Sequence, residues 1–371
     1  MLGPSPAAGV REAGQESLRD WFFESMSQYC ESAARRVDVE ERQFRIGGQA
    51  IRLRFVGALP PATLTRAFAH LAVPLDAGPD LTVSLFDGAS AAVAPPFLLK
   101  AYLSALAYNW REFVDPRGTL IHFHDLPVMA AYHPGSDVLS LLHTERRVGF
   151  YFRRNAEQIP YYEVASPLRT LLHGWFRSQG LQFVHGAAVG TPAAGVLLAG
   201  RGGAGKSTST LACLGSGLRY AGDDYCLVKG APEPHLHSLY NTCKLIGDAD
   251  LRRFPGLAAR VWNTERDAED KPTVFLQEHW PEQVSEGFPL RAILVLRVTG
   301  QRDTRLLPAR GMDALTAVAP STMAQLPASG AADLRFMKEL VQSIPAWVLE
   351  VGTDLGQIPT TIQALLARMS G

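Results

Sequence analysis

No run in this 371-residue chain reaches the ~18 consecutive apolar residues that a membrane-crossing helix needs, so no span and no membrane partner are expected. Charge of one sign is also missing. The 36 Lys and Arg residues balance 36 Asp and Glu, so no overall field draws the chain to nucleic acid or anionic lipid. Cysteine is scarce: Cys30, Cys213, Cys226 and Cys243 stand 183, 13 and 17 residues apart, without a Cys-x-x-Cys pair or zinc-type Cys/His spacing. Such usage suits a reducing compartment and buried free thiols. The start, Met1 to Gly14, has no apolar stretch behind positive charge, so it is not a secretory signal. It is expected to fray, and the cytoplasm is the expected location.

What remains is an ordinary globular composition, 47% hydrophobic and 19% charged, with length enough for about two domains. After an amphipathic helix over Glu16–Arg36, the first part reads as short strands joined by turns. Phe44–Ile46, Gly47–Gly48 and Ile51–Phe55 form a hairpin pattern, and Leu81, Val83 and Leu85 alternate with polar neighbours. A second hairpin is expected over Asp137–Leu142 and Val148–Arg153, with helices near Ala62–Leu71 and Pro96–Trp110. Ser166–Pro167–Leu168 then opens a helix, Ser166 serving as N-cap and Gly180 as stop. These patterns place an α+β region over residues 1–160 and a second domain over 161–371.

The second domain carries the informative motif. Gly195–Ala199 is a buried-strand pattern that runs directly into Gly200–Arg201–Gly202–Gly203–Ala204–Gly205–Lys206–Ser207, which is G-x-x-x-x-G-K-S, and then into a helix over Thr208–Leu214. Glycines allow backbone angles and close approach that a Cβ would block, so successive N–H groups can face phosphate oxygens. The helix start adds further amides and the positive end of its dipole. In that setting Gly200, Gly202, Gly203, Ala204, Gly205, Lys206, Ser207 and Thr208 are the nucleotide-binding candidates. Lys206 neutralises β/γ-phosphate charge, and Ser207 ligates Mg²⁺.

Asp223 and Asp224 follow Lys206 by 17 and 18 residues. A helix from Ser207 to Leu214 advances roughly 12 Å at ~1.5 Å per residue, and an extended Leu218–Gly222 returns roughly 15 Å at ~3.3 Å per residue. Both aspartates should therefore reach the phosphate end of the sheet. One can hold Mg²⁺, and Asp224 is assigned there with Ser207. The other can accept a proton from an attacking hydroxyl. Gln182–Gly190 reads as one extended segment joined to the motif strand by a Thr191–Ala194 hairpin loop. Pairing Gly190 with Gly195 places His185 opposite Gly200. The catalytic candidates are thus Asp223, Asp224, His185 and Lys206.

Other groups read as ordinary surface. Lys244, in the extended run Leu239–Leu245, and Lys271 could contact phosphate or substrate, with a surface charge the favoured reading; the Arg252–Arg253 pair and Arg260 could bind an acidic group, with a solvated helix face favoured. His122 and His124 alternate on an expected strand next to Asp125, without the third ligand that a metal site requires. Ile293–Leu296 has the apolar run of a Walker B strand, but Arg297 follows it instead of an acid, against a motor or transporter ATPase. No Asn-Lys-x-Asp motif occurs, against a GTPase.

Val184–His185–Gly186, Gly200–Ser207 and Ala221–Asp224 together resemble the catalytic core of the HPr kinase/phosphorylase family, over about Gln182–Val228. The resemblance implies a phosphoenolpyruvate carboxykinase-like α/β fold, a P-loop core with a mixed sheet, preceded here by the smaller α+β domain. It implies ATP·Mg²⁺ bound by Lys206 and Ser207, Asp223 or Asp224 as base for a serine hydroxyl, and His185 in support. Thr208 stands where the bifunctional enzymes carry an acid, and the first 160 residues do not resemble their regulatory domain. Both departures count against phosphorolysis and against HPr as substrate. The expected function is an ATP-dependent kinase of a Ser/Thr hydroxyl in a protein or peptide, acting as a monomer or homo-oligomer. A small-molecule kinase and a non-catalytic ATP-binding regulator share the same core residues.

Overall fold

The computed structural model describes residues 15–76 and 78–369; Met1–Gly14 and the expectations placed on it lie outside them. The architecture is mixed α/β and contains two large sheets. Seven strands build the first: β1 (Val39–Ile46), β2 (Gln49–Val56), β3 (Ala72–Val73), β4 (Leu81–Asp87), β5 (Val128–His133), β6 (Val138–His143) and β7 (Val148–Arg153). Their order is β3-β1-β2-β4-β7-β6-β5. The centre, β2-β4-β7, is parallel, and antiparallel hairpins flank it. The Gly47–Gly48 hairpin falls where the alternating pattern placed it. Phe22, Phe23, Met26 and Tyr29 of helix Gln15–Ala34 fill one face of this sheet together with Leu99, Leu103 and Leu106 of helix Phe97–Asn109.

The other face meets helix Arg169–Ser178, whose Leu171, Leu172, Trp175 and Phe176 share one core with Leu53 and Val83 of the first sheet and Phe183 and Leu227 of the second. Each such side chain fully removed from water contributes roughly 1.5–3 kcal/mol. This helix is therefore the wedge that joins the sheets. It does not start at Ser166. Leu168 occupies the N-cap position at φ +57°, and the Ser166 hydroxyl instead accepts a hydrogen bond from Lys244 at 3.4 Å.

The second sheet has nine strands along its main path and edge: β8 (Leu181–Val184), β9 (Ala187–Thr191), β10 (Ala194–Ala199), β11 (Arg219–Gly222), β12 (Cys226–Lys229), β13 (His235–His237), β16 (Gly287–Val298), β17 (Arg305–Pro308) and β18 (Ala346–Val351). β14 (Thr242–Lys244) and β15 (Thr273–Phe275) form a separate ribbon. β10, β16 and β18 run parallel. Helices Gly311–Gln325 and Ala331–Ser343 cover one face, while Lys206–Ala212 and Gln357–Met369 cover the other. Gly190 pairs with Gly195 as expected. A Cβ on Gly195 would stand 2.1 Å from the Phe288 ring, so the aromatic occupies the space that the glycine leaves.

One expectation fails in a way that matters for the site. Gln182–Gly190 is not a single strand. β8 pairs with β12, whereas β9 pairs with β10 and β11, and the chain changes partners at His185–Gly186. β11 and β12 are likewise divided at Asp223–Tyr225. Among the described residues only β16 spans both halves, through Gly287–Pro289 on one side and Leu290–Val295 on the other. Two chain breaks thus lie side by side, where backbone groups and side chains are released from the ladder.

Other corrections are local. Ala62–Leu71 divides into a five-residue α-helix (Pro61–Thr65) and a 3₁₀ segment (Arg66–Leu71). His122 and His124 lie in turns, not on a strand; His122 has φ +75°, and His124 Nε2 faces Asp115 Oδ2 at 3.3 Å. Among the described residues, no cluster of three His, Cys, Asp or Glu is placed to hold a metal. No described helix is long and apolar enough to cross a membrane.

Candidate functional site

β10 ends at Ala199, and the glycine loop leads into helix Lys206–Ala212. Gly205, at φ +91°, makes the final turn into the helix. That backbone angle favours glycine, and a Cβ would also approach Val298 to 3.2 Å. Among the described residues, the amides of Gly202, Gly203 and Gly205 donate to no backbone acceptor. Around Gly202 and Gly203 the Cβ direction is open space. Lys206 is buried, and its Nζ donates to the carbonyls of Gly200 (2.8 Å) and Arg201 (3.3 Å). Burial lowers its pKa against the pull of Asp223 and Asp224. Ala204 is half-buried in the loop, and Thr208 is half-buried on the first helical turn.

The return strand delivers the aspartates to this end. The Ser207 hydroxyl donates to Asp223 Oδ1 at 3.0 Å. Asp223 is buried, and burial together with the neighbouring Asp224 charge pushes its carboxyl up to about 6. Asp224 follows at φ +86°, in the left-handed region that costs a non-glycine residue of order 1 kcal/mol. Its Oδ1 receives His185 Nε2 at 3.1 Å, and its Oδ2 receives Lys244 Nζ at 2.6 Å. Burial alone would raise Asp224, but the Lys244 charge and the hydrogen bonds from His185 and Lys244 outweigh it. They hold the carboxyl well below the usual range.

The two aspartates therefore stand in different surroundings. Asp223 neighbours Ser207, whereas Asp224, the one assigned to the metal with Ser207, is tied to His185 and Lys244. Lys244 departs from its favoured reading as a surface charge. It is not a surface charge but an inward-facing side chain, 12% exposed, and Asp224 raises its pKa despite burial. Lys271, by contrast, is exposed, and Arg253 pairs with Asp250 at 3.1 Å.

His185 occupies the β8–β9 break, buried, with its backbone N–H donating to Thr322 Oγ1 at 2.9 Å. Its tautomer follows from the network around it. Tyr225 OH donates to Gln325 Oε1 at 2.6 Å, which turns the Gln325 amide nitrogen toward His185 Nδ1 at 3.4 Å. Nδ1 then accepts, and the proton on Nε2 faces Asp224. Thr322 and Gln325 belong to helix Gly311–Gln325, which the sequence hides because Pro320 sits inside it. The one sequence signal for Lys244 is a lone lysine in the extended, otherwise uncharged run Leu239–Leu245.

No known family profile matches the chain, and no curated protein matches it. Among solved structures, the HPr(Ser) kinase/phosphatase from Coxiella burnetii is similar at 12% identity and a TM-score of 0.30, over 51% of this chain and 99% of that one. Likeness at that level carries no weight for fold or function, so the site stands on its own geometry.

Proposed function

We propose that the chain is an ATP-dependent phosphotransferase acting on a hydroxyl, with Ser or Thr of a protein or peptide as the acceptor class. The observation that carries this reading is convergence: the Lys206 loop, the Ser207–Asp223 pair and the His185–Asp224–Lys244 group meet at one sheet edge. The residues fit Mg·ATP. Free glycine amides and an ammonium suit phosphate oxygens, and a hydroxyl beside a carboxylate suits a hard cation. Ser207 and Asp223 would hold Mg²⁺, which when bound neutralises phosphate charge.

Asp224 is the proposed partner of the acceptor hydroxyl. The acceptor oxygen bonds to the γ-phosphorus, the bond to the bridging oxygen breaks, ADP leaves, and the hydroxyl proton passes to Asp224. Phosphoryl transfer is largely dissociative, so positioning and charge matter more than base strength. An aspartate kept ionised by Lys244 and oriented by His185 suits that task. The residues before 160 are proposed to shape the acceptor site.

Transfer from γ-labelled ATP tests this reading. Lys206→Ala should lose nucleotide binding. Asp224→Asn should keep binding and slow transfer by roughly 10²–10⁴-fold, the usual range for a general base. Full transfer by Asp224→Asn would refute the assignment. Nucleotide binding without any phosphorylated product would favour an ATP-binding regulator instead.

A further inference from the structure

Arg169 opens helix Arg169–Ser178, the wedge between the sheets, and lies half-buried beside Glu163 on one small cavity. Burial raises the Glu163 carboxyl, and the Arg169 charge pulls against it. Tyr151 OH of β7 faces the same carboxyl at 3.3 Å. On its other side the Arg169 guanidinium donates from Nη1 to Tyr225 OH at 3.1 Å. A charge held from the first-sheet side thus touches the residue that follows Asp224.

That contact has a direction. A guanidinium has donors and no acceptor, so the Tyr225 oxygen has to accept. Tyr225 is buried, and its own hydroxyl proton needs an acceptor. Among the described residues, Gln325 Oε1 at 2.6 Å supplies it. With that oxygen committed, the Gln325 amide presents its nitrogen to His185 Nδ1 at 3.4 Å. The one ring proton of a neutral imidazole is then left on Nε2, 3.1 Å from Asp224 Oδ1.

A second arm reaches the other Asp224 oxygen from the same stretch of chain. Ser166 Oγ accepts from Lys244 Nζ at 3.4 Å, and Lys244 Nζ donates to Asp224 Oδ2 at 2.6 Å. The carbonyls of Ala165 and Pro167 accept from Thr242 Oγ1 at 2.8 Å and Tyr240 OH at 3.0 Å, which hold this stretch against the strand of Lys244. Residues 165–169 therefore grip Asp224 through both carboxylate oxygens.

We infer that Arg169 is a positioning residue: by fixing the direction of the Tyr225–Gln325–His185 chain, it keeps the His185 Nε2 proton on Asp224 and so aims that carboxylate at the acceptor hydroxyl. The effect on rate rests on the phosphotransferase reading, whereas the proton position on His185 does not.

The test uses the full chain with histidine-selective isotope labelling, and His185→Gln identifies the resonance. Long-range proton–nitrogen NMR reads the tautomer, and transfer from γ-labelled ATP to a degenerate Ser/Thr peptide library reads turnover. The wild type should show a bare Nδ1 and a protonated Nε2. Arg169→Met leaves Glu163 without its charge partner, so Tyr225→Phe, which keeps that pair, guards against misfolding of the first variant. In both, Nδ1 should gain a proton as the Gln325 amide turns, and turnover should fall about tenfold with Mg·ATP affinity unchanged. The double variant should be no slower than Tyr225→Phe alone, because both changes break one chain. A protonated Nδ1 in the wild type, a bare Nδ1 in Tyr225→Phe, or rate losses that multiply in the double variant would each overturn the inference and leave the phosphotransferase intact. So would a changed tautomer with full turnover. Mg·ATP binding without transfer by the wild type removes the peptide-kinase reading and the positioning role with it, while the NMR still decides the direction of the chain.

Discussion

Replacing Lys244 with Met removes the cation that holds Asp224. At 2.6 Å, with an effective dielectric of about 20, the pair attraction is ~6 kcal/mol. Desolvation of the two ions offsets much of that, and Asp224 is still 28% exposed, which screens it further. A net loss of about 3 kcal/mol is expected for Lys244→Met, because an aspartate is left without its charge partner. Asp224→Asn leaves the lysine behind instead and should cost about 2 kcal/mol. The double variant should lose less than the sum by about 2 kcal/mol, since neither charge is then stranded. Urea unfolding of the four proteins, followed by tryptophan fluorescence, closes the cycle. Single losses that add within about 0.5 kcal/mol would mean that the pair contributes no coupling, and the electrostatic account of Asp224 would be wrong.

Gly205→Val should lower nucleotide affinity at least tenfold and cost about 1–2 kcal/mol of stability, because φ +91° strains a branched residue and Val298 crowds its Cβ; calorimetric titration with Mg·ATP measures the first effect. Gln325→Leu removes the amide that fixes the His185 tautomer and should reduce transfer about tenfold with nucleotide affinity unchanged, as read by comparing kcat with the ATP dissociation constant. Burial pushes His173 down to about 4 despite nearby Asp333, below an unfolded value of about 6.5. The unfolded chain therefore binds the extra proton, and stability present above pH 6.5 falls as pH drops toward 4, by up to about 3 kcal/mol from this group. His173→Gln should flatten the acid limb of a melting-temperature profile, and an unchanged slope would exclude the residue.

Local chemistry was enough for the sequence to mark the glycine loop, because that motif is a contiguous run whose glycines, lysine and serine each have a backbone or charge reason to be there. Strand and helix lengths placed Asp223 and Asp224 near it, since rise per residue is a property of the backbone alone. The Gly190–Gly195 register was equally legible from loop length. Tertiary structure decided the rest. Which aspartate faces Ser207 depends on a turn at φ +86° that residue type alone does not announce. Lys244, Gln325 and Arg169 lie 20, 101 and 55 residues from Asp224 in the chain and meet its neighbourhood only once the sheets are packed. The His185 break arises because one segment pairs with two different neighbours, and partner choice is a property of the whole sheet. A buried charge and an exposed one are written with the same letter; only packing removes the water that distinguishes them.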